Sequence, residues 1–176
     1  MTHEKWVIDP SHSEIQFKVK HLMISTVTGH FRKFHLEATT DDNDFTKVRD
    51  ISFTINTDSI DTNNEQRDAH LKSEEFFKSD TYPNLVFEGM SFQGTDSEGK
   101  LSGNLTIRGV TKPVSLGIEF GGIVKDGYGQ TKAGFTIEGK LSRKDFGLTW
   151  DAVTEAGKIV VGDEIKFNGE IQLIKQ

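Results

Sequence analysis

The chain has 176 residues, and its 27 acidic side chains outnumber its 21 lysines and arginines, which gives a net charge of -6. This balance argues against nucleic-acid binding, or docking on anionic lipid, as the main activity. The sequence contains no cysteine, so disulfides, thiolate zinc sites, thiol nucleophiles and covalent c-type haem are excluded. The length suits one domain, and we predict a single domain over residues 1–176.

The beginning of the chain gives an expectation about its compartment. Residues 1–6 lack the basic and apolar stretches of a signal peptide. No apolar run approaches the roughly 18 residues of a membrane-spanning helix. We therefore expect a cytoplasmic protein.

Apolar and polar residues alternate along most of the chain. Ile15, Phe17 and Val19 alternate with polar neighbours, and the same spacing recurs as far as Leu173. The alternation predicts a short extended piece at Trp6–Asp9 and eight strands, near residues 14–21, 27–39, 48–57, 84–93, 100–108, 113–124, 130–141 and 163–174. Strands with one apolar face each can bury those faces by closing around one interior. We predict an all-β fold, an eight-stranded antiparallel barrel.

One stretch departs from the strand pattern. Residues 62–78 contain Thr62 and Glu65 at the spacing of a capping box, followed by residues that favour a helix. This predicts a short helical insertion near 62–78, with a second helical turn after Ser73 that docks Phe76 and Phe77 onto the barrel. Turns are predicted at residues 96–99 and at Asp126–Gly127, and residues 41–44 are interpreted as a solvated acidic loop.

The interior of such a barrel is either filled by side chains or able to hold one small ligand. Small residues share the inward faces with large aromatic ones, and they could leave room or only permit strong curvature. These small residues are Gly103, Ala133, Gly139 and Gly169. The pattern leaves both alternatives open.

Five blocks of sequence, in the same order along nearly the whole chain, resemble the YceI-like, polyisoprenoid-binding, lipocalin-like family. They are residues 6–21 with Gly29 and Phe31, 64–73 with Phe76 and Phe77, 103–114, 143–148 and 161–165. The resemblance implies an elongated, lipocalin-like barrel whose apolar tunnel holds an isoprenoid or similar lipid. It also implies a homodimer and no established catalytic residues.

The inward-facing residues and the family blocks together give the candidate ligand-binding side chains. His21 falls on the same alternate positions as the apolar residues of its strand, so it is expected to point inward or lie at the rim. There its side chain either meets the polar head group of a ligand or bonds a neighbouring backbone group. The candidates are Ile15, Phe17, Val19, His21, Phe31, Phe53, Ile55, Phe77, Leu105, Ile107, Phe135, Ile137, Phe146, Trp150 and Phe167.

Several polar residues offer chemistry, but each has a structural interpretation that we prefer. Arg67, Asp68 and His70 of the insertion, with Asp9 and His12, fit charge-assisted hydrogen bonds that hold loops. Arg143 and Asp145 fit an ion pair or a turn. The six histidines contain no HExxH pattern, so no metal site or cofactor is expected.

Two classes of function remain, and a third interpretation assigns the protein no ligand. The first is a non-catalytic carrier of a long apolar lipid, either an isoprenoid quinone or a polyprenyl lipid, with a fatty acid or amide as a variant. The second is an enzyme that acts on such a lipid, and the third is a filled barrel that serves as an interaction scaffold. The sequence has no spacing typical of a nucleophile and its base, which favours the carrier. We expect a lipid ligand, a homodimer, transient membrane contact and no nucleic acid.

Overall fold

The structure is a computed structural model that describes residues 2–150 and 161–176. It contains one α-helix, α1 (Glu65–Lys72), and eleven strands. The strands are β1 (His3–Ile8), β2 (Glu14–His21), β3 (Ser25–Phe31), β4 (Phe34–Asp41), β5 (Asp44–Asn56), β6 (Ile60–Asp61), β7 (Asn84–Gly94), β8 (Glu98–Ile107), β9 (Val110–Lys125), β10 (Thr131–Ser142) and β11 (Val161–Lys175). No helix in these two ranges is long and apolar enough to cross a membrane.

The strands form a closed eight-stranded antiparallel barrel, which confirms the predicted fold class. The closed ring has the order β1, β4, β5, β7, β8, β9, β10, β11, and β11 pairs back with β1. The remaining strands continue from β11 in the order β2, β3, β6. Because β1 and β2 lie end to end along β11, and β3 and β4 pair with them, residues 3–41 form one long bent hairpin.

Two bends in this hairpin explain where the predicted strands were wrong. The predicted strand 27–39 is two strands, interrupted at Arg32 and Lys33, whose backbone groups bond instead to Ser59 and Asn56. The predicted extended piece at Trp6–Asp9 is part of the full strand β1. Residues 10–12 form a 3-10 turn that separates β1 from β2.

The turns follow the expected chemistry except in one predicted loop. Hairpins occur at both predicted positions, between β7 and β8 and between β9 and β10. The predicted acidic loop at residues 41–44 is a tight turn instead, because Asp42 (φ 52°) and Asn43 (φ 62°) both adopt the left-handed conformation that such turns need. Strand β5 therefore begins at Asp44 rather than near residue 48.

The helical insertion is present, but its start differs from the prediction. Asn64 is the N-cap residue of α1, and its side chain accepts a hydrogen bond from the backbone N–H of Arg67 at 3.0 Å. The predicted capping box of Thr62 and Glu65 is wrong, because Thr62 bonds to Asp68 instead. Residues after Ser73 form turns rather than a second helical segment.

The side chains alternate across the barrel wall as predicted. On β10, Phe135 and Ile137 pack in the interior while Thr136 and Glu138 are exposed. One of the small inward-facing residues, Gly139, is required by its neighbour. A Cβ at this position would clash with the ring of Phe167 on the next strand. This glycine makes room for a ring.

Candidate functional site

The barrel encloses two apolar cavities, one above the other along its axis. The larger, which we call the lower chamber, has a volume of about 160 Å³ and lies at the end of the barrel that carries α1. Aliphatic and aromatic side chains form almost all of its wall, and Gln16, Arg143 and Asn168 are its polar lining residues. The apolar lining comprises Ile15, Phe17, Val19, Phe31, Phe53, Ile55, Ile60, Leu71, Phe76, Phe77, Leu85, Phe87, Leu105, Ile107, Val114, Leu116, Ile137, Leu141, Leu148, Val161, Ile165 and Phe167.

The smaller cavity, the upper chamber, has a volume of about 90 Å³. Three aromatic rings cluster in its wall: the ring centroid of Phe45 lies 5.5 Å from that of Phe120 and 4.8 Å from that of Phe135, and the latter two stack at 5.0 Å. The polar residues that border it belong to the β7–β8 turn region. The lining comprises Leu36, Ala38, Phe45, Val48, Ile51, Phe92, Thr95, Asp96, Glu98, Leu101, Ile118, Phe120, Phe135, Ile137, Ile171 and Leu173.

Ile137 lines both chambers and therefore marks the boundary between them. It sits on β10 directly opposite Gly169 of β11 and Ile118 of β9. A Cβ at Gly169 would approach Ile137 to 3.0 Å, so the glycine lets the isoleucine side chain lean across the wall. Among the described residues, Ile137 is the one that lines both chambers.

The lower chamber is closed by residues 62–83, which we call the capping segment. Phe77 packs edge-on against Phe31 of β3 at 6.0 Å, and Phe76 is buried beside Trp150. Asp68 accepts hydrogen bonds from both the backbone N–H and the hydroxyl of Thr62, at 2.9 and 2.5 Å. The segment thus contributes aromatic rings to the chamber, and the Arg108 guanidinium between β8 and β9, which donates to the Phe76 carbonyl at 2.9 Å, fastens it to the barrel.

Twelve of the fifteen candidate residues line a chamber, although their contact with a ligand remains a prediction. Phe135 lines the upper chamber, and Ile137 lines both. Lining the lower chamber are Ile15, Phe17, Val19, Phe31, Phe53, Ile55, Phe77, Leu105, Ile107, Ile137 and Phe167.

The other three candidates lie outside both chambers as the described residues define them. His21 is the last residue of β2, opposite Ser25 of β3 and Val161 of β11, and it lines neither chamber. Phe146 is buried in the core under the turn that follows β10, only 2% exposed. Trp150 packs against His70 of α1, with ring centroids 4.7 Å apart, so it supports the capping segment from outside.

The candidate set also missed lining residues, for two different reasons. Phe87 and Leu116 occupy the same alternate, inward-facing positions as their neighbours on β7 and β9, so the alternation could have identified them. Phe45 lay in a stretch interpreted as loop, and no signal placed it in a strand. Phe76 was expected to dock onto the barrel, and it reaches the lower chamber itself.

Arg143 is a buried cation whose role is structural in the described part of the chain. The residue is 2% exposed, and its guanidinium donates to the carbonyls of Leu148, Trp150, Val161 and Gly162 at 2.6 to 3.1 Å. The prediction of a turn at residues 143–146 is confirmed by a 3-10 helix that ends at Gly147 (φ 78°). These hydrogen bonds, rather than an ion pair with Asp145, hold the turn against β11.

The remaining polar candidates also hold backbone in place. Asp9 caps the 3-10 turn after β1, and its carboxylate accepts from the Ser11 hydroxyl at 2.7 Å and from Lys132 Nζ at 3.2 Å. The Ser11 hydrogen bond, assisted by His12 and Lys132, holds the pKa of Asp9 well below its usual range. Arg67 donates to the hydroxyl and carbonyl of Thr62. Within residues 2–150 and 161–176, no group of three His, Asp or Glu side chains is arranged to hold a metal ion.

A model of YceI-like domains matches residues 6–173. The chain belongs to the YceI-like family. This YceI-like chain is 36% identical over 169 residues to a UPF0312 protein of Staphylococcus epidermidis, and the match covers 96% of each chain. A UPF0312 protein of Staphylococcus aureus strain N315 is 34% identical over 168 residues, or 95% of each chain.

Two solved structures share the barrel. The YceI protein of Campylobacter jejuni is 33% identical, with a TM-score of 0.76 over 89% of this chain and 90% of that one. A polyisoprenoid-binding domain from Saccharophagus degradans superposes with a TM-score of 0.70 over 97% and 98% of the two chains. At 12% identity, that second likeness establishes the fold alone.

Proposed function

We propose that this YceI-like protein is a non-catalytic binding protein that carries a long apolar lipid, an isoprenoid quinone or a polyprenyl lipid, inside its barrel. The observation that carries the proposal is the lower chamber, an apolar space of about 160 Å³ inside the barrel that no side chain fills. A cavity lined by apolar side chains offers water few hydrogen bonds, so it favours an apolar occupant. The polyisoprenoid-binding domain from Saccharophagus degradans shares this fold and supports the choice of lipid.

The arrangement of the chambers fits a chain better than a compact ligand. The upper and lower chambers lie in line, with Ile137 between them, so a linear molecule can extend from one into the other when that side chain moves. Burial of an alkyl chain contributes about 0.8 kcal/mol per CH₂. A bilayer offers nearly the same gain, so the length and shape of the interior, rather than its apolarity, give selectivity.

The polar residues around the chambers give the enzyme alternative little support. Arg143 is engaged with backbone carbonyls, and the side chain of Gln16 bonds to Glu14 and His30. Asp9, Arg67 and Asp68 hold turns and the capping segment. A carrier needs only a binding space, and the chambers provide one.

Organic extraction of the purified protein, followed by mass spectrometry, tests the proposal. We expect an isoprenoid quinone or polyprenyl lipid to be recovered in near-stoichiometric amount. Recovery of a fatty acid or amide would mean that the protein is a carrier of a different class of lipid. Chemical change of the lipid on incubation with the protein would favour the enzyme alternative. Protein that never retains a lipid, even after incubation with isoprenoids, would contradict the proposal.

A further inference from the structure

The hairpin between β2 and β3 ends in apolar side chains that face solvent. Met23 is 63% exposed and Ile24 is 80% exposed, with Leu22 half-buried beside them. The tip projects at the end of the barrel that holds the lower chamber. Isolated apolar residues are common on protein surfaces, so the exposure needs a second observation to become informative.

The backbone of this tip is unusual for the residues it contains. Leu22 (φ 53°) and Met23 (φ 60°) both adopt the left-handed conformation, which Gly, Asn and Asp tolerate best. In the described part of the chain, two other turns place consecutive residues at positive φ, and they use Asp42–Asn43 and Arg108–Gly109. The hairpin tip alone among these turns uses two large apolar residues, so neither folding nor solubility accounts for them.

A row of lysines lies on the outer wall beside the tip. Lys140 of β10, Lys166 of β11 and Lys18 of β2 are directly opposite one another on adjacent strands, and Lys20 follows toward the tip. All four are exposed, and none makes an ion pair with any described residue.

This lysine row works against the stability of the sheet. Like charges directly opposite on paired strands are destabilising, and the three Cα atoms span only about 10 Å. The neighbouring row on one side holds Glu138, and the row on the other side holds Glu164 together with Asp163, which accepts a hydrogen bond from Ser142. The lysine row therefore concentrates positive charge on one part of the surface of a chain whose net charge is -6.

The tip also lies close to the lower chamber. Val161, which lines that chamber, pairs with His21 at the end of β2, and Val19 lines it two residues before. A surface that received the tip would lie next to the chamber. The tip, the lysine row and the chamber thus meet at one end of the molecule.

We propose that the tip (Leu22–Ile24) and the lysine row (Lys18, Lys20, Lys140 and Lys166) dock the barrel on an anionic lipid bilayer. The apolar side chains enter the interface between headgroups and acyl chains, and the lysines face the anionic headgroups. The negative net charge keeps the contact weak, so docking is transient and subordinate to lipid binding. This proposal rests on the proposed function, because docking would let the lower chamber exchange its lipid with the bilayer.

The absence of cysteine allows a site-specific test. Ile24→Cys carries an environment-sensitive fluorophore at the tip, and Tyr128→Cys carries it at the β9–β10 hairpin, where Tyr128 is 93% exposed. With vesicles of phosphatidylcholine containing about 30% phosphatidylglycerol, we expect a blue shift at position 24 and none at position 128. A shift at both positions, or at neither, would overturn the proposal.

Unlabelled variants separate the two parts of the surface in a vesicle flotation assay. Replacing Met23 by Asn and Ile24 by Thr should lower vesicle partitioning by about tenfold or more. Lys18→Gln with Lys166→Gln should lower it by roughly fivefold for each lysine at low salt, and Tyr128→Ser should leave it unchanged. Equal partitioning of all variants, or equal binding to pure phosphatidylcholine, would overturn the proposal.

Sedimentation velocity and lipid extraction on the same proteins distinguish the remaining outcomes. A dimer that dissociates when Met23 and Ile24 are replaced, without vesicle binding, would assign the tip to a second copy and overturn docking. Protein that retains an isoprenoid but binds no vesicles would overturn docking alone. Protein that binds vesicles through the tip but never retains a lipid would support docking and contradict the proposed function.

Discussion

Asp9 lies at the bend between β1 and β2 and connects this bend to Lys132 of β10. Its carboxylate is 11% exposed and accepts hydrogen bonds from Ser11, His12 and Lys132. Because these donors favour the charged form, the pKa of Asp9 is lower in the folded protein than in the unfolded chain. Its contribution to stability is therefore full above the unfolded pKa of about 3.9 and is lost as the pH falls below it.

We predict that Asp9→Asn lowers the free energy of unfolding by about 2 kcal/mol at pH 7, since hydrogen bonds to a charged group are lost. The difference in unfolding free energy between the variant and the wild type should shrink below about pH 4. At such pH values Asp9 takes up a proton when the wild type unfolds, which favours the unfolded state. Urea titrations at several pH values measure it, and Asp50→Asn, whose side chain is 76% exposed, is the control. A difference that stays constant down to pH 2 would contradict this role.

Ile137 is predicted to set the chain length that the interior accepts. Ile137→Ala should join the chambers, improving binding of a twenty-carbon isoprenoid relative to a ten-carbon one, while costing about 2 to 4 kcal/mol of stability. Leu105→Ala enlarges only the lower chamber and is the matched control. Competition binding with the two isoprenoids measures the ratio, and an identical change in both variants would mean that Ile137 does not separate the chambers.

The alternation of apolar and polar residues predicted which side chains face the interior, but it could not distinguish a cavity wall from packed core. Phe135, Ile137 and Ala133 share one face of β10, yet Ala133 is fully buried and lines neither chamber defined by the described residues. His21 shares that face of its strand and pairs with the lining residue Val161, yet it lines neither chamber. Whether an inward position meets empty space depends on side chains from distant strands.

The capping segment is held differently from the barrel strands. None of the residues of α1 is fully buried, and within the helix only Leu71 reaches the lower chamber. The helix depends on the Asn64 cap and on Asp68, which bonds to Thr62. An element with little burial opens at a lower free energy than a core strand.

We predict that Asp68→Ala opens the capping segment while the barrel stays folded. Amide hydrogen exchange in residues 62–78 should accelerate by about tenfold, as expected when hydrogen bonds to a charged group are removed. Amides of β8 and β9 should be unchanged. Glu74→Ala, at an exposed position of the same segment, is the control. Uniform acceleration across the barrel would show that the segment does not open by itself.

The sequence located this element correctly but could not fix its cap. Thr62 and Glu65 have the spacing of a capping box, and Asn64 competes for the same role only two residues after Thr62. The choice was decided by Asp68, which engages Thr62 and leaves Asn64 to begin the helix. Competition between adjacent caps is settled by contacts that local spacing does not contain.

At the scale of the whole molecule, the count of strands around the ring was predictable and their continuity was not. Alternation over β7 to β11 identified five consecutive strands with small errors at the ends. The interruptions at residues 10–12 and at Arg32–Lys33 arise because the chain changes pairing partners there. Such changes are set by closure of the barrel, which joins residues near the two ends of the chain.

The lower chamber is the expected site of the lipid, and a pair of substitutions on β8 tests this location. Leu105 lines the chamber, whereas its neighbour Asn104 is exposed on the outer wall. Leu105→Trp should fill the chamber and Asn104→Trp should leave it open. Because the cavity can receive the larger side chain, both proteins should stay folded within the roughly 1 to 3 kcal/mol typical of overpacking.

The measurement is the amount of lipid extracted per protein, with the thermal midpoint recorded for each variant. We expect Leu105→Trp to lose the lipid while remaining folded, and Asn104→Trp to retain it at the wild-type level. Equal lipid content in the two folded variants would mean that the ligand lies outside the lower chamber.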